Sequence, residues 1–179
     1  NFDRTSSKLE DIINQEYDLK SNFIFKGLYL NNSLKEITLI NMDLGSNSVL
    51  LIESICKNPK SQISLLNLGK NLINSTHFKA FLDLFTTYSK NKIDYLILNY
   101  NEIDDLGMFH LYQFSENCQS TNLRFLDITD NNIGDFGAQI ITNSLNSMIL
   151  KVNNLNLSNN KISSKHISEI GSTLINYNN

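Results

Sequence analysis

LNLSNNKI, residues 155–162, alternates apolar and polar residues as a strand does, then sets Asn160 in the inward row between Leu157 and Ile162. An amide in that row needs a reason, and the rest of the chain supplies one. Related stretches are LKEITLINMDL from Leu34, ISLLNLGKNLI from Ile63, IDYLILNYNEI from Ile93, LRFLDITDNNI from Leu123 and VNNLNLSNNKI from Val152. Their starts lie 29, 30, 30 and 29 residues apart, a period that marks a repeat array.

Within each stretch the alternation puts two apolar residues on one face: Ile37 and Leu39, Leu66 and Leu68, Leu96 and Leu98, Leu126 and Ile128, Leu155 and Leu157. Short parallel strands stacked on one another bury that face continuously. The chain must then turn away from the sheet, which leaves buried backbone groups without a ladder partner. A carboxamide carries donors and an acceptor, so Asn71, Asn101, Asn131 and Asn160 are predicted to form a structural ladder, each bridging to the neighbouring coil. The first stretch departs from the pattern and carries Met42 at that position.

The second half of each period reads as a helix. Three apolar columns recur at helical spacing: Val49, Phe78, Met108, Ala138, Ile167; Ile52, Phe81, Leu111, Ile141, Ile170; and Cys56, Phe85, Ser115, Leu145, Leu174. Ser115 is the exception, with Phe114 beside it to compensate. Ser75, Asp104 or Asp105, Asp135, and Ser163 or Ser164 stand where helix N-caps are expected.

These stretches resemble the leucine-rich repeat, L-x-x-L-x-L-x-x-N-x-L, over roughly residues 30–179. NNIGDFGAQIITNSL (131–145) is similar to the long, ribonuclease inhibitor-like subtype, which Ran GTPase-activating proteins, CARMIL and tropomodulin also resemble. The resemblance implies an α/β fold: a right-handed leucine-rich repeat solenoid with parallel strands on the concave side and helices on the convex side. Residues 31–179 divide into five repeats starting near 34, 63, 93, 123 and 152. Residues 1–30 are expected to be a degenerate N-terminal repeat or cap, with LEDIINQEYDL (9–19) carrying Asn14 at a core position and SNFIFKGLYL (21–30) helix-like. Opening on Asn1, the chain reads as a fragment or processed product. Its last repeat has no polar capping segment, so the array is expected to continue beyond Asn179 or to meet a partner there.

Composition narrows the function. The chain has 179 residues, 41% of them hydrophobic, with a formal net charge of −3, which disfavours a dedicated nucleic-acid surface. No apolar run approaches the ~20 residues that span a bilayer, so no membrane partner is expected. Two cysteines, Cys56 and Cys118, make no disulfide framework, and the expected compartment is the reducing cytoplasm. The three sequons at Asn31, Asn74 and Asn156 are what an Asn-rich chain supplies by chance.

Candidate catalytic groups do not converge. His77 and His166 share a helix-start column with Gly107 and Gly137, whole coils apart, and His110 has no ligand partner at hand. Cys56 and Cys118 read as small core residues. Glu102, Asp104 and Asp105 read as favourable charge at a helix N-terminus. No phosphate-binding glycine loop, nucleophile elbow or zinc motif is present. Catalytic residues, cofactors and metals are therefore expected to be none.

The outward strand positions offer something different. The row before the first core leucine reads Glu36, Leu65, Tyr95, Phe125, Asn154, and the next outward row reads Thr38, Asn67, Ile97, Asp127, Asn156. Leu65, Tyr95, Phe125 and Ile97, bordered by Tyr100, Arg124, Asp127 and Asp130, form an apolar centre with a charged rim, the anatomy of a protein interface. The expected role is a non-enzymatic interaction module or scaffold that binds a protein partner on its concave face, as part of a larger chain or complex. The resemblance allows two alternatives, a GTPase-activating or GTPase-effector regulator and a cytoskeletal regulator of actin-related or axonemal type. Against the first, the chain has only Arg4 and Arg124 and lacks an acidic tail.

Overall fold

Each repeat spends only three residues on a strand, because the residue that follows two positions after the core pair must reverse the chain. Asn41, Lys70, Tyr100, Asp130 and Asn159 all adopt left-handed backbone, with φ of 58°, 58°, 55°, 53° and 55°. This conformation is costly for any residue but glycine, so its recurrence in five successive coils marks a turn imposed by the packing around it.

A computed structural model of the chain describes residues 19–88, 90–118, 121–150 and 152–177. In chain order the elements are α1 (Leu19–Leu30), β1 (Glu36–Thr38), α2 (Asn47–Lys57), β2 (Leu65–Asn67), α3 (Ser75–Thr87), β3 (Tyr95–Ile97), α4 (Asp105–Asn117), β4 (Phe125–Asp127), α5 (Asp135–Asn146), β5 (Asn154–Asn156) and α6 (Ser164–Tyr177). The strands form one parallel sheet in the order β1-β2-β3-β4-β5. Ile37, Leu66, Leu96, Leu126 and Leu155 pair in register across it. The fold is an α/β leucine-rich repeat solenoid, with the sheet on one side and the helices on the other. Residues 1–18, most of the stretch expected to be a degenerate repeat or cap, lie outside the described residues; α1 follows them.

The row after the strand turns carries the asparagines. Asn101 Nδ2 donates to Leu68 O (3.1 Å) in the preceding coil and to Leu98 O (3.0 Å) in its own. Its Oδ1 accepts the Asn71 and Ile73 N–H groups, both at 2.9 Å. Asn71 bridges in the same way from Leu39 O to the Met42 N–H, and Asn131 from Leu98 O to the Ile103 N–H. Asn160 donates to Ile128 O (2.9 Å) and accepts the Ile133 N–H (3.0 Å). The first three are buried and Asn160 is half-buried.

Between sheet and helices lies a continuous apolar core. Leu66, Leu96 and Leu126 are fully buried, as are Phe78, Phe81 and Ile52 from the helices. Each such side chain contributes about 1.5–3 kcal/mol on leaving water, provided a neighbouring coil covers it. Phe114 and Ser115 are both buried, so the helix of the third coil supplies its aromatic one position early. At the last coil the same columns open: Leu155, Leu157 and Ile170 are half-buried, and Ile167 and Leu174 are exposed.

Two of the expected helix caps are displaced by one residue. The N-cap of α3 is Asn74, not Ser75; its side chain accepts from the Thr76 and His77 N–H groups. His77 Nδ1 accepts the Asn74 N–H (3.3 Å) and closes a capping box with histidine in the place of glutamate. The N-cap of α5 is Gly134, which has no side chain to offer, not Asp135. The displaced residues cap across coils instead. Ser75 Oγ accepts the Asp104 N–H (3.0 Å), Asp105 Oδ1 the Gly134 N–H (2.6 Å) and Asp135 Oδ1 the Ser163 N–H (2.7 Å). A second inter-coil ladder thus runs along the helix starts. It explains Gly137, where an added Cβ would come within 2.6 Å of Asp105 Oδ1 and 2.8 Å of Ile133 Cγ2.

Candidate functional site

Alternation fixes what the strand side displays. With Leu66, Leu96 and Leu126 turned inward, their neighbours Leu65, Tyr95 and Phe125 are turned outward, in register between Glu36 and Asn154. Tyr95 is 44% exposed; Leu65 and Phe125 are half-buried. The Tyr95 and Phe125 rings lie 5.5 Å apart and tilted by 33°, within the range of favourable aromatic pairs.

The second outward row has a local task that its composition alone does not reveal. Asn67, Asp127 and Asn156 each accept, through Oδ1, the N–H two residues on: Gly69 (3.1 Å), Thr129 (3.0 Å) and Ser158 (3.2 Å). These side chains hold the strand exit. Ile97, between Asn67 and Asp127 in the pairing, cannot make that bond and presents apolar surface instead. Asp127 is therefore committed in part to its own turn, whereas Ile97 is not.

The borders separate into two ends. Tyr100 and Asp130 follow β3 and β4, both in the left-handed column, and Tyr100 is 57% exposed. Arg124 precedes β4, with Nε 3.0 Å from Asp94 Oδ1. That carboxylate oxygen is shielded from solvent and makes no aligned hydrogen bond, so the contact is Coulombic rather than a directed bond. The sheet thus joins Leu65, Tyr95, Ile97 and Phe125 into one patch. Tyr100 and Asp130 lie at its exit edge and Arg124 at its entry edge.

The titratable groups set aside from the sequence have structural surroundings. Burial, with the nearby Glu53 charge adding to it, pushes the Cys56 thiol up to about 12, so it is a neutral thiol at ordinary pH. Burial holds His77 below its usual value, and the Glu102 charge opposes this only in part. The Ser163 N–H, with His166 beside it, holds the Asp135 carboxyl below its usual value. Asp104 caps α4 by accepting the Leu106 N–H (3.1 Å) and also accepts from Ser75 Oγ (2.6 Å). Among the described residues no three His, Cys, Asp or Glu side chains gather as metal ligands would, and no helix is long and apolar enough to cross a membrane.

Comparison with known proteins places the fold. The family described as Leucine Rich repeat matches residues 119–140. No curated protein sequence matches the chain. Among solved structures it is similar to one titled Leiomodin-1 Actin-Binding Site 2, with a TM-score of 0.69 and 16% identity over 90% of this chain and 88% of that one. It is also similar to the tropomodulin C-terminal domain of Caenorhabditis elegans, with a TM-score of 0.64 and 14% identity over 88% of this chain and 93% of that one.

Proposed function

We propose that this leucine-rich repeat protein, of the long ribonuclease inhibitor-like subtype, is a non-enzymatic interaction module that docks a protein partner on its strand side. The contacts would be made by Leu65, Tyr95, Ile97, Tyr100 and Phe125, with Arg124, Asp127 and Asp130 at the rim. The observation that carries this reading is the Tyr95–Phe125 ring pair, extended on one side by Leu65 and on the next row by Ile97. Rigid aromatics at the centre of a polar rim are what interface hot spots are made of. Tyr100 adds to it: a large, exposed ring held in left-handed backbone, where glycine would be the easier residue.

An actin-related partner, in the cytoplasm, is the reading the neighbours favour, since one carries an actin-binding site in its title. A GTPase-activating role has less support, because Arg124 is already drawn to Asp94. Titration of the purified domain with labelled actin monomers tests the first reading. Binding that falls more than about tenfold in Tyr95→Ala/Phe125→Ala, with unchanged thermal unfolding, is expected. Equal binding by wild type and variant removes the strand patch. Absence of actin binding alongside capture of a different protein by the wild type, lost in the variant, keeps the patch and replaces the partner. Stimulated GTP hydrolysis by a Ran-type GTPase, lost in Arg124→Ala, would overturn the reading in favour of the activator.

A further inference from the structure

The outer helix faces are not alike. Three of the six carry charged pairs one turn apart: Glu53 with Lys57 on α2 (2.8 Å), Lys79 with Asp83 on α3 (2.6 Å) and Lys165 with Glu169 on α6 (3.8 Å). On α4 and α5 part of the equivalent surface turns apolar. Thr76 and Lys165 flank a column whose middle members are Leu106 and Phe136, and Lys79 becomes Phe109 one coil on. Phe136 is 64% exposed. The Phe109 and Tyr112 rings stack at 6.4 Å and 16°, and with Phe136, Ile140 and the polar Gln139, Asn143 and Ser147 they line a groove of about 340 Å³ between the two helices. The core does not require Phe109 or Phe136, because Met108, Leu111, Ala138 and Ile141 already fill the inward columns, whereas Ile140 also packs against the core. An apolar surface that spans two adjoining coils, where α2, α3 and α6 carry ion pairs, marks a contact.

The charge around it states what the contact partner carries. Neither α4 nor α5 contains a lysine or arginine, while Asp105, Glu116 and Asp135 lie on them. We infer that the α4–α5 groove is a second docking surface, separate from the strand patch, for an amphipathic helix with an aliphatic or aromatic stripe and Lys or Arg flanks. A helix fits because the groove runs between two neighbouring helices, where ridges pack into grooves, and no free sheet edge is there to extend a strand. An anionic membrane is the wrong occupant, since neither helix carries a lysine or arginine to meet it.

The test uses three reagents on the whole chain. They are a leucine–lysine peptide patterned as an amphipathic helix, its leucine–glutamate counterpart, and the variant Phe109→Lys/Phe136→Lys. That variant introduces the lysine found at the matching positions 79 and 165. Expected is binding of the lysine peptide with amide shift changes confined to the outer faces of α4 and α5, no binding of the glutamate peptide, and a loss of about tenfold or more in the variant. The shift mapping needs only wild type, so it decides even if the variant unfolds. Shift changes on the strand side, equal binding of both peptides, or no binding of either overturns the proposal. Sedimentation is the last arm: a dimer that Phe109→Lys/Phe136→Lys dissolves would assign the groove to a second copy of this chain and overturn the helical partner.

Discussion

The middle coils and the last coil are written with the same residue types, yet only the middle ones are buried. Leu126 is fully buried and Leu155, its register partner, half-buried; Met108 and Ala138 are buried while Ile167, in the same column, is 58% exposed. Asn131 sits inside and Asn160 half outside, although each makes equivalent bonds to the coil before it. The difference, among the described residues, is a following coil, which covers the middle coils and not the last one described. Burial here is a property of the stack, and a coil's own sequence supplies only half of its core.

That contrast can be broken most severely at the ladder. Asn101→Ala removes one side chain that bonds three carbonyls and two N–H groups in the interior. It is expected to cost about 3–5 kcal/mol by urea unfolding. Asn160→Ala, at the half-buried site in the last described coil, is expected to cost about 1 kcal/mol. Equal costs at the two sites would mean that the coils do not depend on their neighbours.

Two glycines sharpen the comparison with opposite signs. Gly137→Ala forces a Cβ against Asp105 Oδ1 and Ile133 Cγ2 and also disturbs the bond from the Gly134 N–H, so it is expected to destabilise by about 1–3 kcal/mol. Gly171→Ala in α6 meets nothing within 4 Å and is expected to stabilise by up to about 1 kcal/mol through helix propensity alone. Thermal unfolding of both variants measures the pair. Tyr100→Gly separates function from stability on the same principle: relief of the left-handed strain leaves stability unchanged or up to about 1 kcal/mol higher, while partner binding weakens.

The smallest effect is the pH dependence of the helix-start ladder. Asp135 is held below its usual value by the Ser163 N–H, so its contribution is present above the ordinary carboxylate range. It is lost as pH falls through the lowered value. His77 acts in the other part of the scale: its folded value is depressed, so acidification below about 6.5, the usual histidine value, disfavours the fold until that lowered value is passed. Its Nδ1 must stay unprotonated to accept the Asn74 N–H. His77→Gln is expected to flatten unfolding midpoints measured between pH 5 and 7, and Asp135→Asn those measured between pH 2 and 5.

Much of the fold was legible because the repeat states it five times. The strand rows, the three helix columns and the apolar patch at Leu65, Tyr95, Phe125 and Ile97 follow from period and alternation. What was not legible turns on contacts between coils that no single coil encodes. Ser75 and Asp135 read as caps of their own helices, and the structure turns them to the next coil's N–H instead. Asp127 reads as a rim charge, but it first holds its own strand exit. The exposed aromatics of α4 and α5 follow from no period, because the repeat constrains only the inward columns and leaves Lys79, Phe109 and Gln139 free to differ from coil to coil.

Amide hydrogen exchange at Ile73, Ile103 and Ile133 tests the interior row most directly, since each N–H is held by the carboxamide of the following coil. Exchange at Ile73 and Ile103 should proceed only through global unfolding, with Ile133, bound to the half-buried Asn160, measurably faster. Rapid exchange at Ile73 and Ile103 would show that no such row joins the coils, and the stacking account would be wrong.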